Sequence, residues 1–161
     1  RSLDIRTQLQ QLDCPDTATT LNNLAYLYAH QGDRPAAEQY YLDALAIQER
    51  LLGNDHPDVA LTLHNLAYLY KSQAKYQEAT THAERSLQIR QQKLAANCLD
   101  IALSLENLAT LYYYFKRYAE VEPLLMQTLA IRTELYGEHH PDSIAIREAI
   151  VRLQQQIKHQ Q

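Results

Sequence analysis

The chain has 161 residues, a formal charge of −4, only three glycines and five prolines, and an abundance of Ala, Leu, Gln and Glu, which favours helix over sheet. The acidity is mild and spread along the chain, so no basic stripe exists to track phosphates and nucleic acid is excluded as the main partner. No apolar run reaches the ~18–20 residues that span a bilayer, which excludes membrane insertion by a helix of that kind. The first residues, Arg1-Ser2-Leu3-Asp4-Ile5-Arg6, hold no signal-peptide core. Cys14 and Cys98 occupy one repeat position two periods apart. They are expected to be free thiols rather than a disulfide, which needs Cα atoms within ~7 Å, and the expected compartment is cytoplasmic.

In chain order, residues 1–12 come first. Leu3, Ile5 and Leu9 fall 42 residues before Leu45, Ile47 and Leu51, so this segment reads as the second helix of a truncated repeat and the chain as a piece of a longer array. Repeat 1 (16–53) holds the block Leu21-Asn22-Asn23-Leu24-Ala25-Tyr26-Leu27-Tyr28, which returns at Leu63–Tyr70 and, as Leu105-Glu106-Asn107-Leu108-Ala109-Thr110-Leu111-Tyr112, in repeat 3. A fixed period of this length marks a solenoid whose units bury their apolar faces against their neighbours.

Repeat 2 (58–95) shows the unit most clearly. Val59, Leu63, Leu66, Ala67 and Tyr70 step by three and four along a first helix over 58–72. Tyr76, Ala79, Ala83, Ser86, Leu87 and Ile89 do the same along a second helix over about 76–93. Small residues such as Ala37, Ala44, Ala67, Ala79, Ala83 and Ala109 mark where helices must approach closely. Gln31-Gly32-Asp33 ends the first helix of repeat 1, where glycine suits a left-handed cap; the later copies are Gln73-Ala74-Lys75 and Phe115-Lys116-Arg117. Pro-Asp at 15–16, 57–58 and 141–142 is a helix-start signal. Repeat 3 spans 100–137, and residues 142–157 form a closing helix in which Ala149 stands where the earlier copies have asparagine.

The residues Leu24-Ala25, Tyr28, Ala37, Tyr41 and Ala44 resemble the tetratricopeptide pattern, with a period of 42 residues rather than its usual 34. Residues 21–28, 44–49 and 52–60 are similar to the kinesin light chain repeat. The resemblance implies an all-α, right-handed superhelical solenoid of antiparallel helix pairs, a single array over 1–161. It further implies a protein–protein interaction module whose concave groove binds a short peptide of a partner, in a cargo-adaptor or scaffold role. Similar repeats occur in bacterial proteins beside signalling or protease-like domains, and no segment here resembles the coiled coil that would bind a motor. The competing expectation is a scaffold in such a bacterial multidomain protein, one that self-associates into a homo-oligomer through its terminal helices.

Candidate groove residues follow from the register. Asn23, Asn65 and Asn107 lie one position before the Leu-Ala pair, beside the core. A carboxamide both donates and accepts, so it suits a peptide backbone, and the resemblance makes this position an asparagine ladder. The alternative is that each asparagine bonds the neighbouring repeat. Around them stand Asn22, Tyr26, Ala29 and His30, then His64, Tyr68 and Lys71, then Glu106, Thr110, Tyr113 and Tyr114. Tyrosine offers large contact area with a polar tip. Charge in the groove is mixed, with Lys71 near its centre and Glu106 a repeat away; the resemblance implies a peptide with aromatic and acidic residues, met through Lys71 and Arg90.

Cofactors and metals are not expected. His56, His139, His140, Cys14 and Cys98 lie in successive loops, whereas zinc needs four converging ligands. No phosphate-binding glycine loop, nucleophile elbow or His-Glu-x-x-His motif appears, so no enzyme activity is expected.

Overall fold

The first helix of each repeat begins at a proline or leucine and ends where the backbone must turn left. In a computed structural model describing residues 14–159, the elements are α1 (Pro15–Gln31), α2 (Arg34–Leu52), α3 (Pro57–Ser72), α4 (Tyr76–Lys93), α5 (Leu99–Tyr114), α6 (Tyr118–Tyr136) and α7 (Pro141–Lys158). Among the described residues there is no strand. The segment read as the second helix of a truncated repeat, 1–12, lies outside them. The described residues form an all-α array of seven helices.

The intra-repeat turns share one hydrogen bond. The N–H of Asp33, Lys75 and Arg117 donates at 3.0 Å to the carbonyl of Tyr28, Tyr70 and Tyr112 respectively, the six-to-one bond of a Schellman cap. That bond requires a left-handed residue just before it. Gly32 supplies φ 85°, and Ala74 and Lys116 adopt φ 59° and 58° without glycine's freedom. The inter-repeat loops share a different device. His56 and His140 occupy the N-cap position, and each accepts through Nδ1 at 3.2 Å from the N–H of Asp58 or Asp142. The histidines before Pro-Asp therefore cap helices. Cys14 and Cys98, at the same repeat position, are free thiols.

The chain forms two compact units, one up to Ile89 and one from Arg90. In the first, Ala18, Leu21 and Ala25 of α1 are buried with Ala37, Tyr41 and Ala44 of α2, and Val59, Ala60, Leu63, Leu66 and Ala67 of α3 with Ala79 and Ala83 of α4. Alanines let the helix axes close in, near enough for the Ser86 hydroxyl to donate to the Ala60 carbonyl at 2.7 Å. In the second unit α6 lies against both α5 and α7. Ala109, Val121, Leu125, Ile150 and Leu153 form its core, with Tyr112, Tyr118, Ile146 and Ile157 packed around them.

Candidate functional site

Each unit carries a cleft between successive first helices, and the two clefts use the same repeat positions. In the first unit Tyr26, Ala29 and His30 of α1, Arg34 and Tyr41 of α2, and His64, Asn65, Tyr68, Leu69 and Ser72 of α3 line a cleft of about 510 Å³. In the second, about 460 Å³ is lined by Thr110, Tyr113 and Tyr114 of α5, Leu125 of α6, and Ala149, Arg152, Leu153 and Gln156 of α7. Each residue named for the second cleft stands 84 positions, two periods, beyond its counterpart in the first.

The first cleft gathers six of the residues read from sequence: Tyr26, Ala29, His30, His64, Asn65 and Tyr68. Tyr26 and Tyr68 are 54% and 63% exposed, and Tyr26 leans on His30 with ring centroids 4.3 Å apart. The Lys71 ammonium sits 5.0 Å from the centre of the Tyr68 ring, a cation–π distance; burial holds its pKa below the usual lysine range. Two lining residues, Arg34 and Tyr41, come from the second helix. Tyr41 is buried, and burial, reinforced by Tyr26, pushes its hydroxyl up to about 12. It is therefore a neutral hydrogen-bonding group at physiological pH. Among the described residues, no carboxylate lines this cleft.

The repeated asparagine is not equally accessible in its three copies. Asn23 is exposed and Asn65 half-buried, whereas Asn107 is buried at 7%. Asn65 donates from Nδ2 to Asn22 Oδ1 at 3.4 Å. Asn22, itself buried, also lies 3.4 Å from the Thr62 hydroxyl, which donates at 2.7 Å to Gln48 Oε1. Asn22 and Asn65 thus tie α1 to α3, while Asn65 still reaches the cleft.

In the second unit the cleft takes in Thr110 and Tyr113 but not Glu106 or Asn107. Glu106 accepts from Arg132 Nε at 2.6 Å, and Arg132 Nη1 donates to Asp142 Oδ2 at 2.6 Å. Burial opposes the Arg132 charge, yet these two carboxylates more than offset it and raise its pKa. Arg90, one period earlier, is also buried and donates to the Asp100 carbonyl at 2.8 Å and the Ser104 hydroxyl at 2.7 Å. It braces the start of α5. Gln48, Arg90 and Arg132 stand one period apart, each reaching from a second helix to the next first helix. Sequence reading passed over this position as a structural contact. The signal was present in the Ile-Gln, Ile-Arg and Ile-Arg pairs at 47–48, 89–90 and 131–132, where a polar residue interrupts an apolar face. Arg152 and Gln156 were also missed, and carrying Tyr68 and Ser72 forward by two periods finds both.

Models of the tetratricopeptide repeat match residues 1–92 and 101–142. No curated protein sequence matches the chain. Among solved structures, BtubC (BKLC) from P. vanneervenii is similar with a TM-score of 0.78 at 25% identity, over 87% of this chain and 56% of that one. A putative kinesin light chain from Podosopora anserina with nearly identical TPR-like repeats gives 0.75 at 26% identity, over 87% and 66%. The chain thus spans less than two thirds of either protein as solved. The TPR2B domain of yeast Sti1, solved in complex with pHsp70, shares the fold at 0.64 and 17% identity, over 86% and 97%. The chain belongs to the tetratricopeptide repeat family, with repeats of the kinesin light chain type, and is a protein–protein interaction module.

Proposed function

We propose that the first unit binds a short peptide segment of a partner protein in the cleft between α1 and α3, in a kinesin-light-chain-like adaptor or scaffold role. The carrying observation is the convergence of Tyr26, His30, His64, Asn65 and Tyr68 on one open cleft. Half-exposed tyrosines on a stacked helical scaffold present contact area at low ordering cost. Asn65, oriented by Asn22, supplies a group for the peptide backbone. With Arg34 in the lining, Lys71 over the Tyr68 ring and no carboxylate among the described lining residues, the cleft favours a peptide of acidic and aromatic residues. The yeast Sti1 domain of the same fold, seen in complex with pHsp70, supports capture of a protein partner by such a scaffold.

The experiment is titration of an acidic, aromatic-containing peptide library member by calorimetry. Tyr68→Ala is expected to weaken binding by about 2 kcal/mol, the scale of an interface anchor, and Lys71→Glu to weaken it about tenfold with loss of the salt dependence. Unchanged affinity in both variants removes the proposal. Asn107→Ala is the wrong probe for this site, since that residue is buried.

Self-association has one observation in its favour, the exposure of Ile144 and Val151 on α7. Light scattering over a concentration series tests it. A mass that rises for the wild type and not for Val151→Lys supports it, and a constant monomer mass removes it.

A further inference from the structure

On a different part of the second unit, Gln91, Ala96, Asn97, Gln127 and Glu134, over Ile101 and Ile131, line an open hollow of about 630 Å³ between the α4–α5 loop and α6. One period earlier, in the first unit, the equivalent positions are spanned by a partly exposed plug, an ion pair within the chain. Arg85, counterpart of Gln127, pairs with Glu49, counterpart of Gln91, at 2.6 Å. The same guanidinium donates at 3.3 Å to the carbonyl of Asn54, counterpart of Ala96. The second unit keeps the backbone that brings these positions together but has exchanged the charged pair for two carboxamides, and Asn54 for an alanine. It adds a carboxylate at the rim: Glu134 replaces Gln92 of the earlier repeat and is oriented by the Asn97 amide, which donates to Oε1 at 3.0 Å.

We propose that this hollow is a docking site for an arginine side chain of a partner protein, inserted where the first unit places its own Arg85. The argument is complementarity at equivalent positions. A guanidinium is a planar fork of five donors that pairs two-pronged with carboxylate and carbonyl oxygens, and the first unit shows one seated against this backbone. The hollow offers the Glu134 carboxylate, carboxamide oxygens at 91 and 127, and an apolar floor for the methylene stem. The site is independent of the α1–α3 cleft, so either can fail without the other.

The test uses the full chain and the blocked tripeptide Ac-Gly-Arg-Gly-NH2, followed by NMR through the side-chain amides of Gln91, Asn97 and Gln127. These signals are expected to shift on titration. The citrulline analogue, the same size without charge, is expected to bind at least tenfold more weakly, and Glu134→Gln to weaken the arginine peptide about fivefold. The double change Gln91→Glu with Gln127→Arg rebuilds the plug of the first unit and is expected to abolish binding while leaving the fold intact. Equal binding of the citrulline peptide, undiminished binding in either variant, or shifts confined to the first unit would each overturn the proposal.

Discussion

Three residues at one repeat position show how the backbone sets the demand and the side chain answers it with different success. Gly32, Ala74 and Lys116 all close the same turn with positive φ, a conformation that costs a side chain roughly 1–2 kcal/mol and costs glycine only its greater freedom when unfolded. Ala74→Gly and Lys116→Gly are each expected to stabilise the protein by about 0.5–1 kcal/mol, and Gly32→Ala to destabilise it by a similar amount, read as shifts in urea midpoint at constant slope. A second residue carries a pH dependence. His82 stacks on Tyr70 with ring centroids 5.4 Å apart. Burial, then the nearby Arg85, depresses its pKa against the opposing pull of Glu49 and Glu78. The folded state thus holds the His82 proton less tightly than the unfolded chain, whose histidine titrates near 6.5. Unfolding then takes up a proton in acid, and stability falls as pH drops from above 6.5 through the folded value. His82→Phe keeps the stack and removes the titration, so its loss of stability between pH 7.5 and 5.5 is expected to be smaller than that of the wild type. An equal loss would remove His82 as a source.

At the scale of the helix, α6 carries a residue that disfavours it. Pro123 lies inside it, where it lacks the N–H that would bond the Ala119 carbonyl and crowds that carbonyl with its ring. The equivalent positions carry Gln39 in α2 and Thr81 in α4, neither of which breaks the ladder. Pro123→Gln is expected to raise stability by about 1–3 kcal/mol, measured by thermal unfolding; no change would mean the helix already spends nothing there. The helices themselves were legible because their signals are local. Steps of three and four mark the buried faces, Pro-Asp marks the starts of α1, α3 and α7, and Gly32 marks the stop of α1. The stretches read at 58–72 and 76–93 lie at Pro57–Ser72 and Tyr76–Lys93. What was not legible depends on contacts 26 to 43 residues apart. Glu106 looks like a groove residue by register, yet Arg132 claims it. Asn22 looks available, yet Thr62 and Asn65 surround it. Asn107 sits at the same helical angle as the exposed Asn23, and only its particular neighbours bury it. Helical phase says which way a side chain leaves its helix and says nothing about what waits there.

Across the whole chain the period separates what is held constant from what is free to vary. Alanines at the helix contacts, the Schellman bond and the polar brace from 48, 90 and 132 are renewed from unit to unit, while the cleft lining is not. The first cleft presents Tyr26, His30, Asn65 and Tyr68, and its counterpart presents Thr110, Tyr114, Ala149 and Arg152 at those four positions. In the second cleft Gln156 also bridges two tyrosines, accepting from the Tyr113 hydroxyl at 2.6 Å and donating to that of Tyr118 at 3.3 Å, where Ser72 stands in the first. If the scaffold is shared and the lining decides the ligand, selectivity should travel with the lining. Transferring it by Thr110→Tyr, Tyr114→His, Ala149→Asn, Arg152→Tyr and Gln156→Ser gives the second unit the residues of the first at five positions. Four of the changed residues line the open cleft and the fifth, Ala149, is half-buried against the core, so stability is expected to stay within about 1–2 kcal/mol. Calorimetry with a peptide that the first unit binds is then expected to change from one site per chain to two, the added site being lost again when Tyr is returned to Arg at 152. A stoichiometry that stays at one would show that backbone geometry, and not the lining, distinguishes the two clefts.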